Sequence, residues 1–399
     1  MAHEGQTVLE RAKRRGKLLL RYVRPYMMLK SIQRLKQYDE ILVEEMHSPV
    51  KVPLRKRLWA LKHGFYSNRV LFYGLRKDNV KNYMPDIFHD SLHPFNDQFS
   101  WMIDDKSNLP SLLKDFPEYA PTNHYLIYDS EMIDLSGHSR DAEAYEREKL
   151  LSLLRASGNL MVKPLGRSGG EGVMRLEANE GSYFINSNKC IEQDALRRLA
   201  NLDKHIVCRF ERQHQYANDL YPATANTIRF VTMRDYNAHQ AFIGACFHRV
   251  GTHKSIPADN FAKGGLLCSL DLETGVIGRA LHKSEDHGIR FLDRHPDTGA
   301  LISGTTIPRW EYVKSEVLRM ANSLPFIPYM GWDIVMTNSG FKVLEINSLP
   351  TLLWQIHSPI CDNPRAIEFY RHIIRKKGLT ARSKWYEYTS TGKLHGGNS

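Results

Sequence analysis

The chain has no apolar run near the roughly 20 residues that a membrane-spanning helix requires, so nothing in it reads as a bilayer span. Leu18-Leu19-Leu20 is too short for a signal-peptide core and Arg21 follows it at once, so no leader is expected. Cysteine is scarce. The five present (Cys190, Cys208, Cys246, Cys268 and Cys361) are odd in number and form no Cys-x-x-Cys pair. That excludes a disulfide framework and a zinc site, and points to reduced thiols in a cytoplasm. No HExxH occurs, and His248, His253 and His295 lack metal-ligand spacing. No Ser–His–Asp or Cys–His arrangement offers a nucleophile, and no Gly-Lys-Ser/Thr opens a helix as a P-loop would.

Acidic residues are scarce only at one end. Residues 1–78 hold 18 Lys and Arg against 7 Asp and Glu, a balance of +11. The whole chain also carries +11, so the remaining residues are neutral. A chain-wide nucleic-acid surface is therefore not expected. The basic segment reads as helix over residues 8–46, broken at Pro25, and again over Lys51–Leu75. Two readings stand for it: peripheral contact with anionic lipid at the inner face of a membrane, or a solvated basic face on ordinary packing helices.

The stretch that organises the rest is Gly331–Asn347. It reads as a β-hairpin about Asn338-Ser339-Gly340, a three-residue loop closing on glycine. In that register Thr337 faces Phe341, Val335 faces Val343 and Asp333 faces Glu345. Asn347 joins the same face two residues on. Opposed carboxylates repel, so their juxtaposition needs a partner. Two carboxylates and an amide oxygen suit a hard cation, Mg²⁺ or Mn²⁺; solvated acids on an edge hairpin are the alternative.

Upstream, Asn79–Asn108 looks irregular, Tyr125–Tyr128 reads as a strand and Ala142–Ser157 as a helix. A strand ending at Lys163-Pro164 then runs into Gly166, Ser168, Gly169, Gly170 and Gly172 before a second strand. Such a loop lets backbone N–H groups close over phosphates, with Lys163 beneath as a point charge; a plain glycine hairpin is the alternative. The strand His205–Glu211 ends at Arg209, Phe210 and Glu211, where backbone groups could meet an adenine edge and Glu211 a ribose. Asn226 and Arg229 enter one strand and Arg249 leaves its neighbour, so the arginines are anion-contact candidates. Lys263, in the polar loop Asp259–Gly265, joins Arg229 and Arg249 as a catalytic candidate. Asp271–Gly275 and His295–Gly299 read as hairpin turns, not metal loops.

The order of these pieces, from Lys106 through Lys163 and its glycine loop to Asp333 and Glu345-Ile346-Asn347, resembles the ATP-grasp superfamily over roughly residues 100–375. Asn226–Arg229, Asp259–Phe261 with Gly264-Gly265, His295-Pro296 with Thr298-Gly299, Ile307-Pro308 with Trp310, and Gly331–Ile334 resemble its sugar-transfer-associated group. The resemblance implies an α+β fold: two α+β subdomains with mostly antiparallel sheets holding ATP between them. The expected parts are a basic, mainly helical region 1–98, subdomains at 99–212 and 213–378, and a loose tail at 379–399. By the same resemblance Lys106 and Lys163 contact the α- and β-phosphates, and the glycine loop closes on the β- and γ-phosphates. Glu211 approaches the ribose, and Asp333, Glu345 and Asn347 hold Mg²⁺. Arg209, Phe210 and Asn226 complete the expected nucleotide contacts.

The implied activity is carboxylate–amine ligation driven by ATP. The substrates would be small-molecule or saccharide-linked acids and amines, in a cytoplasmic protein. A phosphotransferase on the same fold, or a non-catalytic nucleotide-binding module at a membrane assembly, are the alternatives. One departure stands out. Ligases of the D-alanine–D-alanine ligase kind carry an arginine two residues before the metal aspartate, where this chain has Gly331.

Overall fold

The computed structural model describes residues 45, 50–137, 142–166, 169–283, 288–380 and 383–390. The helices expected over 8–46 lie outside these residues, Glu45 excepted. The chain divides into two compact units. One gathers the described parts of Met1–Phe95, Lys283–Arg290 and Thr351–Ser399; the other holds Asn96–His282 and Phe291–Pro350.

In the second unit, alternating apolar residues build two sheets. The first has eight strands: β1 (Asn123–Tyr128), β2 (Glu131–Asp134), β3 (Ala142–Ala144), β4 (Asn159–Pro164), β5 (Met174–Asn179), β6 (Ser182–Ile185), β7 (Asn188–Cys190) and β8 (His205–Arg209). Their order is β3-β2-β1-β8-β4-β5-β6-β7, antiparallel throughout. Helices Arg147–Ser157 and Glu192–Leu199 bury Leu150, Leu151, Leu154 and Leu199 in one core with Leu160, Val162 and Val207 of the sheet. The helix expected from Ala142 begins only at Arg147, because residues 142–144 pair with β2 instead.

The second sheet has seven strands: β9 (Ile228–Asp235), β10 (Gln240–Val250), β11 (Leu266–Leu270), β12 (Ile277–Lys283), β13 (Ile289–Leu292), β14 (Tyr329–Thr337) and β15 (Gly340–Asn347). The order is β13-β12-β11-β10-β9-β14-β15, antiparallel from β12 across to β15. Helix Trp310–Ser323 covers one face, burying Val313, Val317 and Met320 with Phe230, Trp332, Ile334 and Met336. Two α+β layers with antiparallel sheets are the ATP-grasp architecture expected above.

The hairpin departs from its expected register in an instructive way. Thr337 pairs with Gly340, Val335 with Lys342 and Ile334 with Val343, so the loop has two residues and not three. A bulge then inserts Leu344, and Asp333 pairs with Glu345 after all. The bulge switches parity. Phe341 and Val343 point into the core before it, and Ile346 does so after it. Without the extra residue Glu345 would share the core face of Val343; with it, Glu345 faces the same way as Asp333.

In the first unit the helix Leu54–Lys62 buries Ala60 and Leu61 and leaves Arg55, Lys56 and Lys62 exposed. The helix thus presents an exposed basic face, which both readings of the segment require. The stretch 79–108 is not irregular: Asp86–Ser91 and Phe99–Asp104 are helices. Helix Pro364–Lys376 was expected with the second subdomain. It belongs to the first unit, where Tyr370 meets the rings of His89 and Phe95 edge-on. The tail is not loose throughout, since Lys384–Ser390 is helical and its Trp385 is buried. Among the described residues, no helix is long and apolar enough to cross a membrane.

Candidate functional site

Three adjacent strands carry one row of charge. Arg229 on β9 pairs with Asp333 on β14, which pairs with Glu345 on β15. Arg229 grips both Asp333 oxygens, through Nε to Oδ1 and through Nη2 to Oδ2 at 2.9 Å. Arg249 adds its Nη2 at 3.0 Å from Oδ2. Burial pushes the Asp333 carboxyl up, but the two guanidiniums outweigh it and hold the group below the usual carboxylate range. Glu345 is answered by Lys106, 3.3 Å away. The repulsion expected between the opposed acids is thus relieved by a cation on each.

The strand end after this row is clamped. Asp104 accepts hydrogen bonds from Ser348 N and Oγ, at 2.8 and 2.6 Å. The segment that carries Lys106 therefore also fixes the residue after Asn347. Nothing in the sequence signalled this clamp, because Asp104 and Ser348 lie far apart in the chain.

Lys106, Lys163, Gly169, Gly170, Arg209, Phe210, Glu211, Arg229, Arg249, Asp333, Glu345 and Asn347 all border one cleft in this unit. Lys163 has no hydrogen-bond or ion-pair partner among the described residues. The buried Oε1 of Glu211 and Nδ2 of Asn347 likewise lack partners there. Groups left uncommitted at a cleft wall fit a ligand that supplies phosphate, hydroxyl and cation. Glu211 fits a hydroxyl and Lys163 a phosphate oxygen; Asp333 and Glu345, each already paired with a cation, and the Asn347 amide are oxygen donors of the kind a hard cation takes. Among the described residues no group of three or more His, Cys, Asp or Glu could hold a metal.

Four expected residues stand elsewhere. Asn226 does not border the cleft. Its Nδ2 donates to the carbonyls of Ala217 and Tyr221, and its Oδ1 accepts from Thr224 and Gly251 N, so its amide is fully spent on the fold. Gly166 lies outside the lining with open space about it. Gly172, at φ +72°, serves its turn: a Cβ there would stand 2.9 Å from Pro164. Lys263 is not itself part of the cleft lining; its Nζ donates to the carbonyl of Gly170, which is, at 2.9 Å. Ser168 lies outside the described residues.

Asp259 and Thr227 are cleft residues to which the sequence reading gave no site role, though both lie in its family-like segments. Asp259 Oδ2 accepts from Thr227 N at 2.7 Å and from its hydroxyl, while Oδ1 stands 3.4 Å from Arg249 Nη2. Thr227 Oγ1 in turn accepts from Arg249 Nε and Nη2 at 3.0 and 2.7 Å. Burial raises the Asp259 carboxyl despite Arg249 beside it. Arg249 thus spends its Nε–Nη2 edge on the protein and, like Arg229, makes no bond through Nη1 among the described residues.

Gly331 explains the missing arginine. A Cβ there would stand 2.7 Å from Pro350 Cβ and 3.4 Å from Arg229 Cδ. The stem of Arg229 lies against this position, so the guanidinium beside Asp333 comes from the neighbouring strand.

His248, beside Arg249, is fully buried. Its Nδ1 donates to the Arg249 carbonyl at 2.9 Å, so Nε2 accepts from Tyr216 Oη at 3.0 Å. Burial lowers its pKa to about 4. The unfolded chain therefore takes up a proton at higher pH than the folded one. Stability should fall as pH drops from about 6.5 towards 4, by about 3 kcal/mol in full. Urea unfolding at stepped pH checks this: His248→Gln should flatten that window, and an unchanged slope would contradict it. His295 is likewise a neutral structural ring. Its Nε2 meets the Gly251 carbonyl at 2.7 Å, and its Nδ1 accepts from Asp297 N and Thr298 N. Asp271 holds the Asp271–Gly275 turn in the same way through Thr274, so both turns are hairpin turns, as read from the sequence.

The family described as sugar-transfer associated ATP-grasp matches residues 94–365. No curated protein matches the sequence. Among solved structures, the chain is similar to the ATP-grasp ligase PsnB complexed with minimal precursor, at 14% identity and TM-score 0.36, covering 72% of this chain and 64% of that one. It is also similar to the D-alanine-D-alanine ligase from Coxiella burnetii (12%, TM-score 0.34, covering 76% and 69%). A third is the N5-carboxyaminoimidazole ribonucleotide synthetase from Thermotoga maritima (12%, TM-score 0.34, covering 68% and 49%). The chain spans less than two thirds of PsnB.

Proposed function

The chain belongs to the sugar-transfer-associated ATP-grasp family, and on that premise we propose that it is an ATP-dependent carboxylate–amine ligase. The observation that carries the reading is the row Arg229–Asp333–Glu345, opening on the cleft that Lys163, Glu211 and the glycine loop also border. In this reading Lys106 and Lys163 receive the α- and β-phosphates and Glu211 the ribose, with Arg209 and Phe210 beside the base. Asp333, Glu345 and Asn347 would hold Mg²⁺, or Mn²⁺, which when bound neutralises phosphate charge.

The Nη1 edges of Arg229 and Arg249 orient the substrate carboxylate and stabilise charge on the transferring phosphoryl group. The carboxylate oxygen attacks the γ-phosphorus and ADP leaves, giving an acyl phosphate. The amine then attacks the acyl carbon; phosphate leaves and an amide remains. Positioning and charge carry both steps, and neither step needs a side-chain nucleophile. The acids and amines are proposed to be small-molecule or saccharide-linked, in cell-surface saccharide or secondary-metabolite synthesis. The proposed setting is the cytoplasm, where ATP is supplied and the five free thiols persist.

ADP release across paired acids and amines tests this. Turnover should need both members of a pair. Turnover with the first substrate alone would favour a phosphotransferase, and nucleotide binding without any ADP release would favour a non-catalytic module.

A further inference from the structure

The glycine loop is tied down from across the cleft by the segment between β10 and β11. Asn260 Nδ2 donates to the Gly169 carbonyl, and Lys263 Nζ donates to the Gly170 carbonyl at 2.9 Å. Gly169 and Gly170 both take positive φ, +67° and +69°. Their missing side chains are filled by this same segment. A Cβ on Gly169 would stand 3.1 Å from Asn260 Nδ2, and one on Gly170 would stand 3.2 Å from Ala258 Cβ. Both are tighter than most Cβ contacts, so the segment would have to yield by a few tenths of an ångström. The positive φ disfavours a side chain at either glycine, apart from any ligand.

We propose that Asn260 and Lys263 are positioning residues for the phosphate loop. In a trans peptide the C=O and the next N–H point in opposite directions. Holding the Gly169 carbonyl towards Asn260 turns the Gly170 N–H the other way, and holding the Gly170 carbonyl fixes the peptide on its far side. The Gly170 N–H is thereby aimed before any anion arrives, and an anion pays less ordering entropy on binding. Asn260 also lies next to Asp259, which holds Thr227 and Arg249. One short segment therefore sets the loop on one side and an arginine on the other. Lys263 acts on the loop, not on the reacting groups, which explains why it stands off the cleft wall.

The inference rests on the nucleotide reading above, and calorimetry with two ligands separates them. AMP lacks the phosphates the loop would close on; a non-hydrolysable ATP analogue with Mg²⁺ has them. Asn260→Ser keeps an oxygen to cap Ala262 N but is too short to reach Gly169. Lys263→Met keeps the stem and removes the ammonium at an exposed position. Each should weaken the analogue about tenfold and leave AMP unchanged. Analogue affinities within twofold of wild type would overturn the proposal. So would an equal loss for both ligands, the mark of a folding defect. A loss in Lys263→Met alone would assign that lysine a direct phosphate contact and overturn the latch. Failure of the wild type to bind the analogue would overturn the nucleotide reading, and the latch with it.

Discussion

Arg229→Met is expected to lower the unfolding free energy by about 3 kcal/mol. The side chains of Arg229 and Asp333 are 9% and 6% exposed, so the pair is out of water. Removing one partner of a buried pair costs roughly 3–5 kcal/mol, because the remaining charge loses its compensation. Arg249 still holds Asp333 Oδ2 at 3.0 Å, which places the loss at the lower end. A pH signature accompanies it. The depressed Asp333 pKa contributes stability at neutral pH that is lost as pH falls through that pKa. With Arg229 gone the depression shrinks, and acid unfolding should begin at higher pH. Urea unfolding at neutral and acid pH reads both effects. A loss below about 1 kcal/mol would mean that Arg249 alone compensates Asp333.

Trp332→Ala is the second large effect, at about 4 kcal/mol. Trp332 is fully buried on the face of β14 opposite Asp333, paired with Phe230 on one side and Ile346 on the other. Its Nε1 donates to Thr232 Oγ1 at 2.9 Å. Phe230 in turn stacks on Trp310 of the covering helix, with centroids 5.3 Å apart. Alanine would empty the middle of this layer and orphan a hydroxyl. Trp332→Phe should cost only about 2 kcal/mol, since it keeps most of the volume and loses the hydrogen bond. Equal losses in the two variants would mean that the hydrogen bond, and not the packing, holds the strand. Asp333 is the next residue, so a loosened β14 should also weaken nucleotide binding.

Local pattern made much of this legible. Apolar runs marked β9, β10, β14 and β15, and a glycine run between two strands marked the loop after β4. What pattern could not show was pairing between distant strands. Arg229 and Asp333 are neighbours only because β14 lies beside β9, which the sequence does not state. Asp259 was read only as the start of a polar loop, because its partners, Thr227 and Arg249, lie far from it in the sequence. The Asp333–Glu345 pairing was reached through the wrong loop. A three-residue turn and a two-residue turn followed by a bulge at Leu344 place the two acids alike. Asn226 was misread because it stands close to Arg229 in sequence, while the fold spends its amide on the carbonyls of Ala217 and Tyr221. Helix Pro364–Lys376 was legible as a helix, but its packing against His89 and Phe95 was not.

The most direct test of the site is thermal unfolding with a non-hydrolysable ATP analogue and Mg²⁺, on wild type and on Glu345→Ala. A ligand at about 100 times its dissociation constant stabilises the fold by roughly 2.7 kcal/mol, enough to read as a rise in Tm. Glu345 is half-buried and its ion-pair partner among the described residues is Lys106, so its loss should lower the unliganded Tm far less than Arg229→Met does. The expected result is a Mg²⁺-dependent rise in the wild type that Glu345→Ala loses. No rise in the wild type, or an equal rise in both, would contradict the assignment of this cleft as a metal–nucleotide site.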